Sequence, residues 1–303
     1  ASGTITFTRT GGNASSNYTV NLAGSELNEG THSNITLTNA PTLVSGAIYS
    51  IAFNGTDLAG NDASQVSVTG ITYDTTAPTV SEVTSSTNNG SYNADADPIS
   101  IQVVFTEPVV VTGTPQLTLE TGTNDAVVNY ASGSGSNTLT FTYTIASGHT
   151  SSDLDYKATD SLSLNGGTIK DVAGNSATLT LPSPGAAGSL SANKAIIVDT
   201  TRPTMTITSS TSGVTDGSST TNGSIVLTFT SSENTTNFST SSISVSNGSI
   251  GGFSGSGTTY TATFTPSADG ACTIDVYANT FTDAAGNYNI ASSQFNWTKL
   301  ASN

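Results

Sequence analysis

The sequence predicts an all-β protein built of tandem Greek-key sandwiches, and three observations carry that expectation. Apolar and polar residues alternate in run after run, as in Ile99, Ile101, Val103 and Phe105, or Leu139, Phe141, Tyr143 and Ile145. That period of two places one face of each run in a core and the other in water. Turn signals rich in Gly and Asn separate the runs. No stretch combines the helix formers Ala, Leu, Glu and Lys at a period of 3.6, so helices are not expected.

The individual strands follow from the same pattern. Ile225, Leu227 and Phe229 lead to Glu233 as the run from Ile99 leads to Glu107, and Phe295 and Trp297 belong to the last strand. Core packing is the expected role of Trp297. Leu43-Val44-Ser45-Gly46-Ala47-Ile48-Tyr49 reads as a tyrosine corner opening a strand of Tyr49, Ile51 and Phe53. Cys272 lies on the apolar phase of its strand and is expected to be a buried thiol. As the single cysteine it permits no intrachain disulfide, so an extracellular protein of this kind would need another staple.

Repeats divide the chain. Asp74-Thr75-Thr76-Ala77-Pro78-Thr79 returns as Asp199-Thr200-Thr201-Arg202-Pro203-Thr204, each between two apolar strands. The proline rules out helix and stiffens the connection. These phrases read as linkers, giving three units at 1–77, 78–202 and 203–303. A second phrase occurs once per unit: Asp57-Leu58-Ala59-Gly60-Asn61, Asp171-Val172-Ala173-Gly174-Asn175 and Asp283-Ala284-Ala285-Gly286-Asn287. Each ends in a Gly-Asn turn signal. From linker Asp to strand-end Glu the spacing is 33 positions in unit two and 34 in unit three.

Unit one is short. Only 56 residues precede Asp57, so about two strands are missing, including the one that would end in Glu. Either the sequence starts inside a domain, or a neighbouring chain donates the strands.

Charge narrows the function classes. With 6 Lys+Arg against 21 Asp+Glu the formal net charge is −15, which excludes a basic surface able to neutralise nucleic-acid phosphates. It also disfavours an anionic membrane surface, and no signal peptide or membrane span is visible. A multivalent cation is the partner such a chain attracts most readily. His32 and His149 lie in different units without a Ser or Cys partner pattern, which argues against an enzyme.

The phrases Asp-Thr-Thr-x-Pro, Phe-Thr-Glu-Pro-Val and Asp-x-Ala-Gly-Asn resemble the bacterial immunoglobulin-like (cadherin-like) tandem repeats of large surface proteins and adhesins. Over Thr79–Asp199 the likeness extends to Gly113-Thr114-Pro115-Gln116-Leu117 and Asp153-Leu154-Asp155-Tyr156, and unit three resembles a related variant through Phe264-Thr265-Pro266. The resemblance implies tandem immunoglobulin-like Greek-key β-sandwiches in an elongated array, and a non-enzymatic extracellular or cell-surface rod that projects or forms part of an adhesin or fibre. The alternative is a subunit of a self-assembling surface layer or filament, in contact with copies of the same chain.

Topology gathers the acids. In a seven-strand sandwich the loops after the second, fourth and sixth strands lie at the end where the chain comes in. Asp74, Glu107 and Asp171, with Asn175, should therefore meet where unit one joins unit two. Asp199, Glu233, Asp283 and Asn287 should meet at the next joint. Asp153 and Asp155 could add oxygens there, as could Asp95 and Asp97, while Asp57 and Asn61 form the corresponding turn of unit one. Clustered carboxylates repel unless a cation intervenes. Calcium accepts six to eight oxygens in flexible geometry, and one Cys with two separated His offers little to a softer metal. A single Asp-x-x-Gly-Asn would need no more than a capped turn. Three copies with two linker aspartates and two strand-end glutamates point to interdomain Ca2+, and the resemblance adds the cadherin-type idea that the ion stiffens the joint.

Overall fold

The chain was analysed as a computed structural model that describes residues 1–28, 31, 33 and 36–302; His32 lies outside them. In unit one, β1 (Ser2–Gly12), β2 (Tyr18–Asn21), β3 (Ala47–Thr56) and β4 (Val66–Tyr73) make one sheet in the order β2-β1-β3-β4. Unit two holds β5 (Val80–Ser85), β6 (Gly90–Tyr92), β7 (Ile99–Thr112), β8 (Gln116–Glu120), β9 (Ala126–Ser132), β10 (Ser136–Tyr143), β11 (Thr150–Ser151), β12 (Asp155–Tyr156), β13 (Leu162–Ser163), β14 (Thr168–Lys170) and β15 (Ile196–Asp199). Its main sheet runs β12-β8-β9-β10-β7-β14 with β5 on β7, and a second sheet runs β11-β15-β6. Unit three holds β16 (Met205–Ser209), β17 (Ser218–Thr220), β18 (Ile225–Thr235), β19 (Ile243–Ser246), β20 (Gly248–Pro266), β21 (Gly270–Val276) and β22 (Phe295–Lys299). Its two sheets run β16-β18-β20 and β17-β22-β21-β19. The fold is all-β and immunoglobulin-like. Among the described residues the ladders stay within these three groups.

Each group has its own core. In unit two the alternating faces of β7 and β10 bury Ile99, Ile101, Val103, Phe105, Leu139, Phe141 and Tyr143 against Ile196 and Val198 of β15. In unit three Met205, Ile225, Leu227 and Phe229 pack with Phe295 and Trp297. Trp297 is 1% exposed and its indole N–H donates to Thr220 Oγ1 at 3.1 Å, so the ring is core and its polar atom is satisfied. Cys272 is likewise buried.

The tyrosine corner forms. Buried Tyr49 places its hydroxyl 3.2 Å from the N–H of Val44, five residues upstream, and 2.7 Å from Ser15 Oγ. Tyr49→Phe should cost about 1 kcal/mol, the net value of a hydrogen bond of this kind, because Val44 N–H loses its acceptor. Urea denaturation of the Phe variant measures it.

Two expectations need correction. A short helix, α1 (Leu190–Asn193), exists despite the lack of helical periodicity, because Ser189 caps it by accepting from Ala192 N–H. Phe53, expected inside, is 43% exposed. Among the described residues the buried core of unit one is Phe7, Val20, Ala47 and Tyr49 with a few half-buried neighbours, and β4 is exposed along its whole length. One sheet alone cannot cover both ends of β3.

Candidate functional site

The three Asp-x-x-Gly-Asn phrases fold into the same turn. In unit two Asp171 N–H donates to Asn175 O at 3.0 Å and Gly174 N–H to Asp171 O at 3.3 Å. The Asp171 carboxylate accepts from Asn175 N–H and Asn175 Nδ2, both at 2.7 Å. Asp283 receives the same two donors from Asn287 at 2.9 Å each, and Asp57 from Asn61 at 2.8 Å each. Gly60, Gly174 and Gly286 sit at φ of 89°, 98° and 91°, which explains the glycine at this step.

The linkers dock on these turns. Asn175 Nδ2 also donates to the carbonyl of Asp74 at 3.1 Å, and Asn287 Nδ2 to the carbonyl of Asp199 at 2.9 Å. Each linker aspartate caps its own turn, with Asp74 Oδ1 accepting from Thr76 N–H and Asp199 Oδ1 from Thr201 N–H, both at 2.9 Å. The linker then zips onto the strand carrying the glutamate: Thr106 N–H donates to Thr79 O at 2.9 Å, and Ser232 N–H to Thr204 O at 3.0 Å. Glu107 and Glu233 follow these two residues directly, so the glutamate is held beside the linker.

The result is two triads of one construction. Asp74, Glu107 and Asp171 bring carboxylate oxygens within 4.8 Å of one another, as do Asp199, Glu233 and Asp283. Asp171 and Asp283 are buried, and the other four half-buried. Burial opposes the charge of Asp171, yet hydrogen bonds from Asn175, Gly174 and Ala173 hold its carboxyl below the ordinary range. The glutamates lack such donors. Burial, then the charges of Asp74 and Asp171, raise Glu107. Burial, then Asp199 and Asp283, push Glu233 up to about 7. Oε1 of Glu233 is buried with no hydrogen-bond partner.

Other expected site residues lie elsewhere or act differently. Asn175 and Asn287 turn an amide N–H, a donor, toward the turn aspartate and the linker carbonyl, and so clamp turn to linker. Asp155 is removed from the second joint by its own partners: it is buried and accepts from Tyr156 N–H, Gly185 N–H and Ser191 Oγ. Asp153 is exposed, with its carboxyl raised by burial and by Asp155, and it joins neither triad. Asp57 and Asn61 form their turn in solvent beside Asp62 and Glu26, and Asp57 joins no three-acid cluster among the described residues. Asp95 does come to the second joint, where it lines a concavity with Arg202, Asn279, Asn287 and Tyr288, while Asp97 is exposed outside the triad.

Two contributors escape sequence reasoning. Ser45 Oγ, from the tyrosine-corner loop of unit one, donates to Asp74 Oδ1 at 3.2 Å and accepts from Thr75 N–H at 3.0 Å. Arg202, where the first linker has Ala77, donates to the carbonyls of Tyr288 and Asn289 and to Asn279 Oδ1. The only available signal was the one differing position between the two linker phrases.

Comparison with known proteins agrees with the fold. Residues 199–299, which take in unit three and the linker aspartate that opens its joint, match the family model of the bacterial Ig-like domain. No curated protein matches the sequence. Among solved structures the chain is similar to the Escherichia coli adhesin FdeC, with 15% identity and a TM-score of 0.32 over 83% of this chain and 74% of that one. It is also similar to invasin, a bacterial integrin-binding protein, with 14% identity and a TM-score of 0.31 over 99% of this chain and 53% of that one. The chain thus spans about half the length of invasin.

Proposed function

We propose that this chain is a stretch of a non-enzymatic, extracellular adhesive rod at a bacterial surface, in which calcium bound at each joint holds successive domains in line. The observation that carries the reading is the second triad, where three carboxylates converge on a joint and Glu233 Oε1 is buried without a partner. Asp74, Glu107 and Asp171 would hold one ion, and Asp199, Glu233 and Asp283 the other. Each triad draws on a linker aspartate, a strand-end glutamate and a turn aspartate. An ion there ties the joint itself to the body of the following domain. The bacterial immunoglobulin-like match of unit three supports a surface location. No helix among the described residues is long and apolar enough to cross a membrane.

Extracellular calcium modules have dissociation constants of roughly 10⁻⁴–10⁻³ M. At 100 times that value, binding favours the bound conformation by about 2.7 kcal/mol per site, enough to suppress hinging. Small-angle scattering in calcium and in EDTA tests the proposal. The maximum dimension should be larger and better defined in calcium, and E107Q/E233Q should behave in calcium as the parent does in EDTA. An end-to-end length indifferent to calcium would sink the reading. A filament or surface-layer subunit is a second reading, favoured by the open face of unit one, and the mass of the purified chain in solution separates the two.

A further inference from the structure

Units one and two present the same turn to the linker that follows them. Val44-Ser45-Gly46-Ala47 closes with Ala47 N–H donating to Val44 O at 3.1 Å, and Ala146-Ser147-Gly148-His149 with His149 N–H donating to Ala146 O, also at 3.1 Å. Gly46 and Gly148 take φ of 77° and 89°. In unit two the turn grips the linker through one hydroxyl. Thr200 Oγ1 accepts from Gly148 N–H and donates to the carbonyl of His149, both at 3.0 Å.

The two turns are held by different acceptors. In unit one Val44 N–H donates to the hydroxyl of Tyr49 at 3.2 Å. In unit two the matching Ala146 N–H donates to Nδ1 of His149, also at 3.2 Å. Half-buried His149 stacks on buried Tyr143 with ring centroids 5.8 Å apart, and its Nδ1 lies 3.0 Å from the Tyr143 hydroxyl. An imidazole thus takes the place that a phenol has in the other turn.

Protonation acts on the two partners of that ring unequally. An N–H aimed at Nδ1 requires a lone pair there, so the uncharged ring carries its proton on Nε2. With both nitrogens protonated, Nδ1 becomes a donor. The Tyr143 hydroxyl can turn to accept from it, but Ala146 N–H then faces another donor and loses its acceptor. The other titratable groups near the ring have partners of their own. Asp125 and Tyr130 line the same concavity as His149. Asp125 is ion-paired with Lys157, near Glu120, and the Tyr130 hydroxyl accepts from Ser134 N–H. Asp199 lies opposite Thr150, with its Oδ1 engaged by Thr201 N–H. Among the described residues the imidazole bonds to Tyr143 and Ala146 and to none of these groups.

We propose that His149 is a positioning residue of the second joint, and that its protonation unlatches the linker from unit two. Uncharged, the imidazole keeps the 146–149 turn closed on Thr200. Protonated, it opens the turn, and the Gly148 N–H and His149 carbonyl leave the threonine hydroxyl. The linker stays fixed to unit three, because Asn287 holds the Asp199 carbonyl and Arg202 the carbonyls of Tyr288 and Asn289. Acid therefore loosens the joint on one side, with unit three and its linker moving as one piece. No ion takes part in the latch.

Amide exchange by NMR on the full chain in EDTA, between about pH 8 and pH 5 and corrected for the intrinsic pH dependence, tests the latch. Protection of the Gly148 and His149 amides should fall at least about threefold toward the acid end, while Phe141 in β10 keeps its protection. His149→Asn, whose Oδ1 supplies an acceptor that does not titrate, should hold protection level across the range. Nitrogen shifts of the imidazole in the unaltered chain should show the proton on Nε2 at the alkaline end. A Gly148 protection that falls equally in the parent and in His149→Asn would overturn the proposal. So would level protection in the parent, or a proton on Nδ1 in the uncharged ring, and neither of these readings needs a variant. Calcium is absent throughout, so failure here leaves the calcium reading standing, and failure of that reading leaves the latch.

Discussion

Phe238→Ala should destabilise unit three by about 3–5 kcal/mol, the usual cost of truncating a buried phenylalanine. Phe238 is 5% exposed and its ring touches four others, with centroids at 5.0 Å for Tyr260, 5.2 Å for Phe281 and 5.7 Å for Phe229 and Phe253. The arrangement is a hub, and collapse around the missing ring would have to move β18, β20 and the segment that leads to Asp283. Two of its neighbours buttress the second triad. Phe281 stands two residues before Asp283, and Tyr260 shares a 3.0 Å hydrogen bond with Thr235, which bridges Asp283. Each kcal/mol shifts the midpoint by about 4–8 °C for a domain of 60–100 residues. Calorimetry should show one transition falling steeply while that of unit two stays, since the two cores share no buried residue. A joint fall of all transitions would mean that the units unfold as one body.

The triads could be read from sequence because each ligand type sits in a repeated phrase whose local structure is self-contained. The aspartate of Asp-x-x-Gly-Asn is fixed by donors within four residues, the linker aspartate by a threonine two residues on. What depends on distant partners could not be read. Asp155 looked like a joint ligand until Gly185 and Ser191, 30 and 36 residues later, supplied its hydrogen bonds. The Asn175 and Asn287 amides donate both to their turn aspartate and to a linker carbonyl 101 and 88 positions away, and the second partner is encoded by no local pattern. The alternation of Tyr49, Ile51 and Phe53 gave the right strand and the wrong burial for Phe53, because periodicity names a face without saying whether anything covers it.

Calcium-free protein should lose stability in unit three as pH rises from about 5 to 7.5, opposite to the usual behaviour of a carboxylate. Glu233 has its pKa pushed up to about 7, against 4.5 as the ordinary value, by burial first and then by Asp199 and Asp283. Between those two values the folded state holds a proton that the unfolded chain has released. Stability therefore falls with pH across the window, and the contribution of the protonated Glu233 is gone above the folded value. Calcium reverses the slope. A cation among the three acids favours the ionised glutamate, so protons compete with it, and apparent affinity should weaken by up to about tenfold per pH unit below 7. The first joint should respond in the same direction, because burial and the charges of Asp74 and Asp171 raise Glu107 as well. Thermal unfolding in EDTA at several pH values, repeated in millimolar calcium, gives both slopes. Glu233→Gln should flatten the EDTA series and remove the calcium response of unit three. A calcium-free midpoint that stays level between pH 5 and 7.5 would show that Glu233 is ionised without a cation, and the case for an ion at that joint would lose its electrostatic basis.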